Sequence, residues 1–225
     1  RRTIAERMTE SAKAPQVTLN QRVPVDALLD LKDRLEADRG LELSVTDFLL
    51  AAVSDALEAH PALNAVYEDG AHMLAGNVNI GIAIDIEDGL VTPVIDGADR
   101  RTLTELREER KRLVSLVQSG EYTMDDLADG TFTVTNLGHF GVETFDPILN
   151  PPQVGILGVG TIHSRADPDG DGTVREIGLS LTFDHRAVDG ADAARFLETL
   201  ADGLTHPLRL LPIGRTRESN EPFLE

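Results

Sequence analysis

Two long β-type runs, Val154–His163 and Val174–His185, decide the prediction of the fold. Asp-Pro-Asp-Gly-Asp-Gly stands between them at positions 167–172, and this composition is typical of a tight turn. Two long strands joined by a short turn pair as an antiparallel hairpin. The sequence therefore predicts an antiparallel ribbon in the second half of the chain.

Elsewhere, predicted helices alternate with shorter strands. Asp26 is positioned to cap one helix that Gly40 ends, and Ser44-Val45-Thr46-Asp47 resembles a capping box that opens a strongly apolar second helix. Further helices are predicted over residues 1–13, Thr102–Gly120 and Ala191–Leu204. Alternation combined with hairpins favours an α/β (α+β) two-layer sandwich, with a mixed β-sheet and helices on one face.

The composition excludes several classes of function. The 225 residues include no cysteine, which excludes disulfides, zinc–thiolate sites and cysteine nucleophiles. The net charge of −18 comes from 39 acidic and 21 basic residues, and so negative a surface repels nucleic acid and anionic lipid. With neither a signal peptide nor a long apolar run, we expect a cytoplasmic protein with no membrane partner.

The basic residues are also skewed, because Lys13, Lys32 and Lys111 are the only lysines. Acid excess with depleted lysine predicts a halophilic source, since concentrated salt screens the self-repulsion of the acidic surface. The alternative is an arginine-rich genome bias combined with ordinary acidity.

No repeat, linker or break in composition divides the chain, so residues 1–225 are predicted to form a single domain. The chain begins with Arg1 rather than Met, which suggests a fragment of a longer protein.

The strongest local signal for chemistry is Phe183-Asp184-His185-Arg186-Ala187-Val188-Asp189-Gly190. It places His185 at the end of a predicted strand, where a tight turn can fix the imidazole with one ring nitrogen free to accept a proton. Asp189 and Gly190 also suit a helix cap and a turn, so the residues alone leave a structural role for this segment open.

Two other patterns are weak. The run 167–172 resembles the start of a calcium loop, but Gly178 stands where the terminal acidic ligand is needed, so no metal site is predicted. The glycines of 155–160 superficially resemble a nucleotide-binding loop, but no helix follows them, so a dinucleotide site is not expected.

Several segments together resemble the catalytic core domain of dihydrolipoamide acyltransferase, the acyltransferase component of 2-oxo acid dehydrogenase complexes. The resemblance runs from Ile4 to about Leu204. It is carried by Asn79–Asp85 followed by Gly89–Pro93, by Gly130–Gly138, by Asn150–Gln153, and by Asp184-His185-Arg186 with Asp189-Gly190-Ala191.

The resemblance implies a chloramphenicol-acetyltransferase-like fold and acyl transfer between dihydrolipoamide, carried on a lipoyl domain, and coenzyme A. By the match, His185 is the general base that deprotonates the attacking thiol. Thr135 stands where the family has a serine, and its hydroxyl is expected to stabilise the oxyanion. Asp189 matches the family's acidic residue, which supports local structure around the histidine, and the positions that match coenzyme A contacts are Ser44, Asp85 and Asn136.

The resemblance also implies an assembly. Family cores are homotrimers in which the histidine of one subunit faces the hydroxyl of its neighbour, and the trimers build larger hollow shells. Lipoyl and peripheral-subunit-binding domains are expected upstream of residue 1, and through them the decarboxylase and dihydrolipoamide dehydrogenase components. Residues 205–225 form a C-terminal extension beyond the usual family end, and it leaves the size of the shell open.

Two other functions stay open at this point. One is a coenzyme A-dependent acyltransferase that acts on an alcohol or an amine, although such enzymes commonly carry two adjacent histidines where this chain has Asp184-His185. The other is a non-catalytic, shell-forming homologue, against which the intact His185, Asp189 and Thr135 argue.

Overall fold

The computed structural model describes residues 2–87, 89–167 and 170–211, with side chains from residue 5 onward. The helices are α1 (Arg2–Ser11), α2 (Asp26–Arg39), α3 (Val45–Ala59), α4 (Leu103–Ser119) and α5 (Gly190–Thr205). The strands are β1 (Gln16–Pro24), β2 (Ala65–Glu68), β3 (Ala71–Leu74), β4 (Ile80–Ile86), β5 (Gly89–Val91), β6 (Val94–Ile95), β7 (Phe132–Asn136), β8 (Gly155–Ala166) and β9 (Thr173–Asp184).

Within these residues the main sheet is mixed, as predicted. Its order is β1-β9-β8-β7-β4-β5, with β6 beside β4, while β2 and β3 form a separate hairpin. Strands β8 and β9 pair antiparallel from Gly155 opposite Phe183 to Ala166 opposite Thr173, which confirms the predicted ribbon. Strand β7 runs parallel to both of its neighbours, β4 and β8. Pro168 and Asp169 of the predicted turn lie outside the described residues.

Helix α3 is the centre of the core. Its capping box forms as predicted, because the Ser44 hydroxyl accepts a hydrogen bond from the Asp47 amide while the Asp47 carboxylate accepts one from the Ser44 amide. Phe48 and Leu49 behind the cap are fully buried. Burial of one such side chain contributes roughly 1.5–3 kcal/mol, so this helix anchors the layer of helices on the sheet.

The predicted cap of α2 is wrong. Val25 occupies the N-cap position and Asp26 lies inside the first turn. The Asp26 carboxylate instead pairs with Arg175 of β9. It accepts hydrogen bonds from the Arg175 backbone amide at 2.9 Å and from the Arg175 Nε at 2.6 Å. The side-chain hydrogen bond from Arg175 holds the pKa of Asp26 below its ordinary value. At the other end, Gly40 terminates the helix with φ of +62°, as predicted.

One predicted strand, Leu90–Ile95, is divided in two in the structure. Pro93 lies between β5 and β6, and proline has no amide hydrogen to donate to a neighbouring strand. Its carbonyl nevertheless accepts a hydrogen bond from the Ile82 amide, which keeps both short strands beside β4.

The glycines of β8 and β9 let another segment of backbone lie directly on the sheet. A Cβ at Gly160 or at Gly178 would stand 1.9 or 2.2 Å from the carbonyl oxygen of Glu143. The Thr161 amide donates to the Val142 carbonyl at 2.7 Å, so this segment is hydrogen-bonded to β8. This close approach of backbone explains Gly160, whereas a Cβ at Gly155 would meet the Phe132 ring and one at Gly158 the Phe145 ring.

Among the described residues, none of the helices combines the length and the apolar character needed to cross a bilayer.

Candidate active site

His185 directly follows β9, as the sequence predicts, and its imidazole is exposed on the single chain. Its backbone amide donates to the Pro15 carbonyl at 3.0 Å. The amides of Ala187 and Val188 both donate to the Asp184 carbonyl at 3.0 Å, which closes the turn. The ring also lies against Phe183, with 5.6 Å between ring centres. The backbone is therefore fixed while the imidazole remains open to a substrate.

The residues on either side of His185 form an ion pair that sequence reasoning did not single out. Asp184 is 3% exposed and accepts hydrogen bonds from the Arg186 amide at 3.0 Å and from Nη2 at 2.6 Å. The Arg186 guanidinium lies 4.2 Å from the centre of the Tyr67 ring, and its bond to Asp184 raises its pKa above the ordinary value. The pair and the stacked ring brace the turn from both sides.

A cleft opens beside this turn, with an open volume of about 420 Å³. Asp184 and Arg186 are among the residues that line it, together with Tyr67, Pro152 and the end of α1. The Asp-x-Arg spacing around the histidine is the signal from which this pair could have been anticipated. Tyr67 carries no such signal, because only the fold brings it there.

Asp189 occupies the N-cap position of α5, but its side chain makes no capping hydrogen bond. Its backbone carbonyl accepts from the Asp192 and Ala193 amides at 3.0 and 3.1 Å, so the main chain alone starts the helix. Side-chain capping by Asp189 is therefore ruled out. The exposed carboxylate stands on the same short connection as His185 and is free to face a neighbouring group.

Thr135 lies in β7, level with Ala83 of β4 and with Gly158 of β8. It is half-buried, and its hydroxyl has no hydrogen-bond partner within the described part of the chain. An unpaired hydroxyl on a rigid central strand is available to donate to a ligand.

The strand registers separate Thr135 from His185 of the same chain. Thr135 is level with Gly158, and Gly158 is opposite Ser180, which precedes His185 by five residues on β9. Five residues along a strand and two spacings between strands lie at right angles to each other, and together they place Thr135 roughly 20 Å from His185. A general base and an oxyanion donor must both lie about 3 Å from one reacting group, so one chain does not complete the predicted site.

The three predicted coenzyme A contacts belong to one end of the sheet. Asp85 is near the end of β4 and Asn136 ends β7, and parallel strands bring these ends to the same edge. The Asn136 side-chain amide donates to the Thr46 hydroxyl at 3.5 Å, beside Ser44 at the start of α3. The Ser44 hydroxyl accepts from the Asp47 amide at 3.3 Å, which fulfils its capping role, and donates to the Asp47 carboxylate at 2.7 Å.

Of the run 167–172 that resembles a calcium loop, residues 168 and 169 lie outside the described part of the chain. Over residues 2–87, 89–167 and 170–211, no group of three or more His, Asp or Glu side chains is arranged to hold a metal ion.

Comparison with known proteins decides the family. Residues 1–212 match the model of the 2-oxoacid dehydrogenases acyltransferase (catalytic domain). The chain belongs to this family. Its predicted mixed-sheet sandwich is the fold of the family's solved members, which confirms the resemblance given above.

Among family members, the dihydrolipoyllysine-residue acetyltransferase component of the Bacillus subtilis acetoin cleaving system is 40% identical over 218 residues. The match covers 94% of this chain and 55% of that protein. The dihydrolipoyllysine-residue acetyltransferase component of the Rickettsia bellii pyruvate dehydrogenase complex is matched over 52% of its length. The chain thus spans about half the length of these curated relatives.

Solved family structures agree closely with the fold. The dihydrolipoamide acetyltransferase of Azotobacter vinelandii gives a TM-score of 0.88 at 32% identity, covering 93% of this chain and 89% of that one. The cubic core of a pyruvate dehydrogenase multienzyme complex also gives 0.88, at 31% identity and the same coverage. A chloramphenicol acetyltransferase gives 0.57 at 14% identity, which shows the shared fold only.

The work on the Azotobacter family member concerns the roles of a serine, a histidine and an asparagine in its catalytic mechanism. The histidine and asparagine of that protein are four positions apart, as are His185 and Asp189 here.

Proposed function

We propose that this chain transfers an acetyl group between dihydrolipoamide, carried on a lipoyl domain, and coenzyme A. The observation that carries the proposal is the retained pair of open groups, the His185 imidazole and the Thr135 hydroxyl, in a family of acyltransferase catalytic domains. Acetyl is the acyl group proposed because the relatives described above are acetyltransferases. Branched-chain acyl transfer is the alternative that a substrate panel distinguishes.

In this mechanism His185 takes the proton from the thiol of coenzyme A. The sulfur, now a thiolate, attacks the carbonyl carbon of the acyl-dihydrolipoamide thioester and forms a tetrahedral oxyanion. Thr135 donates its hydroxyl hydrogen to that oxyanion. When the intermediate collapses, the carbon–sulfur bond to dihydrolipoamide breaks, and the departing sulfur receives the proton from His185. Asp189 supports the orientation of the imidazole.

The separation of roughly 20 Å within one chain supports a site shared between chains. A homotrimer in which His185 of one protomer faces Thr135 of the next brings base and donor together at each of three interfaces. Ser44, Asp85 and Asn136 then hold coenzyme A at the sheet edge nearest Thr135.

The larger assembly follows from the same family. We propose that the trimers form a hollow multimeric core, to which upstream lipoyl and peripheral-subunit-binding domains recruit the decarboxylase and dihydrolipoamide dehydrogenase components. The similarity to a cubic pyruvate dehydrogenase core supports this arrangement. Residues 1–225 serve in it as the single catalytic domain. Of the extension 205–225, residues 212–225 lie outside the described part, whereas Leu210 is buried in the core.

The cellular setting is proposed from charge. A chain of net charge −18 with three lysines suits a salt-rich cytoplasm, where the acidic surface keeps the assembly soluble.

The direct test is formation of a thioester from acetyl-CoA and free dihydrolipoamide by the purified chain. We expect S-acetyl-dihydrolipoamide, with slower transfer from isobutyryl- and succinyl-CoA. Acetylation of only a hydroxyl or amine acceptor would support the alcohol or amine acyltransferase instead. No transfer to any acceptor would indicate the non-catalytic shell protein.

A further inference from the structure

A buried ion pair lies behind the predicted coenzyme A edge. The Asp47 carboxylate, in the first turn of α3, is completely buried. Arg110 of α4 approaches it with both arms of its guanidinium, Nε to Oδ1 at 2.6 Å and Nη2 to Oδ2 at 3.2 Å. The Ser44 amide and hydroxyl each donate to Oδ2 at 2.7 Å, so the carboxylate accepts four hydrogen bonds.

A capping box does not need such an arginine, as a second box in the same chain demonstrates. At the start of α4, the Glu105 carboxylate accepts from the Thr102 amide at 2.7 Å and from its hydroxyl at 2.9 Å. That box is exposed to solvent and makes no hydrogen bond with an arginine in the described residues. Taking a carboxylate and a guanidinium out of water costs desolvation free energy that their attraction often does not exceed, so capping alone does not explain the buried Arg110–Asp47 pair.

The pair acts on the segment that begins α3. Asp47 fixes both the amide and the hydroxyl of Ser44. One residue before Asp47, the Thr46 hydroxyl accepts from the side-chain amide of Asn136 at 3.5 Å. Asn136 directly follows Thr135 in β7, and its Oδ1 accepts from the Gly138 amide at 2.8 Å. A continuous series of contacts thus connects α4 with the residue beside the proposed oxyanion donor.

We propose that Arg110 and Asp47 are positioning residues for coenzyme A, acting through Ser44 and Thr46. The inference rests on the proposed function, since it takes the edge formed by Ser44, Asp85 and Asn136 as the coenzyme A site. A two-armed guanidinium holds a carboxylate in one orientation, whereas an ammonium supplies only a point charge. If an ammonium replaces the guanidinium, the charge of Asp47 is still balanced, but the start of α3 is no longer held in one orientation. Coenzyme A binding weakens, because it depends on a fixed position of Ser44 and Thr46.

The test is Arg110→Lys, with Arg112→Lys as the matched control. Arg112 lies on the same helix and is also held in a two-armed ion pair, with Glu109, but it faces away from α3 toward Asp126. Initial rates are measured with coenzyme A varied at saturating S-acetyl-dihydrolipoamide, and then with the two substrates exchanged.

We expect Arg110→Lys to raise the KM for coenzyme A about five- to tenfold, with kcat and the KM for the acyl donor within about twofold of the wild type. Arg112→Lys is expected to change none of the three. A purely structural pair would lower kcat through loss of folded protein and leave both KM values unchanged, and that result would overturn the proposal.

A double variant keeps the proposal testable if the single variant does not fold. If Arg110→Lys does not assemble, Asp47→Asn/Arg110→Met removes both charges at once and leaves no unpaired ion in the core. The same selective rise in the KM for coenzyme A is expected, and an unchanged KM overturns the proposal. Failure of the proposed function is distinguishable, because the wild type itself would then form no acetyl-CoA.

Discussion

At the scale of single residues, His185 combines a fixed backbone with a free ring. The Pro15 carbonyl and the Asp184–Arg186 pair hold the turn, so loss of the imidazole removes no contact that the fold needs. The exposed ring contributes little to the free energy of unfolding. Chemistry and stability are therefore separable at this position, and the two can be measured independently.

His185→Ala is expected to lower kcat by about 10²–10⁴-fold, because no other group takes the thiol proton. The melting temperature should stay close to that of the wild type. The measurement is the rate of thioester formation, accompanied by a circular dichroism melt. A rate within a few-fold of the wild type would remove His185 from the role of base.

Thr135→Ala is expected to lower kcat about 10²-fold, since one donor to the oxyanion is lost. Thr135→Ser keeps the hydroxyl and is the matched control that should retain most of the rate. A change below about threefold for the alanine variant would mean that another group stabilises the oxyanion.

Some residue contacts of the site could be predicted from the sequence and others could not. The position of His185 at a strand end could be predicted because the motif and the strand are contiguous. The Tyr67 ring over Arg186 could not, because it comes from a distant hairpin that only the fold brings near. The Arg175 partner of Asp26 could not be predicted for a related reason, since tertiary packing decides which partner a carboxylate meets.

At the scale of elements, the backbone of residues 142–143 lies on Gly160 of β8 and Gly178 of β9. Just after them, Phe145 packs against Gly158, the residue level with Thr135. The sequence indicated that these glycines are no nucleotide loop, but it could not indicate which backbone they admit. That contact joins segments that are distant in the sequence, so no local sequence pattern predicts it.

Gly160→Ala is expected to destabilise the fold by about 3 kcal/mol, because the new Cβ would meet the Glu143 carbonyl, which has no side-chain freedom to move away. Gly172→Ala in the same hairpin is the control, since a Cβ there meets nothing within 4 Å. Urea denaturation compares the two variants. Equal stability would contradict the close crossing.

At the scale of the whole molecule, charge sets the working conditions. A net charge of −18 on 225 residues opposes compaction unless salt screens it. The mixed two-layer architecture was predictable from alternating elements and one hairpin, because both signals are local. The proposed assembly comes from the family resemblance and not from those signals, because surfaces that join chains carry no periodicity.

We expect the melting temperature to rise by about 10 °C or more between roughly 0.1 M and 2 M KCl, as screening shortens the range of repulsion. The measurement is a thermal melt across a KCl series. A matching series in sucrose, which raises stability without screening charge, is the control. Full stability at low salt would contradict the halophilic proposal.

The most direct test of the account mixes two inactive variants. His185→Ala and Thr135→Ala chains are co-assembled in equal amounts, after unfolding and joint refolding, and the rate of thioester formation is compared with that of each variant alone. If the site is shared between chains, about a quarter of the interfaces regain both groups and about a quarter of the wild-type rate returns. A rate no higher than that of the separate variants would contradict the shared site.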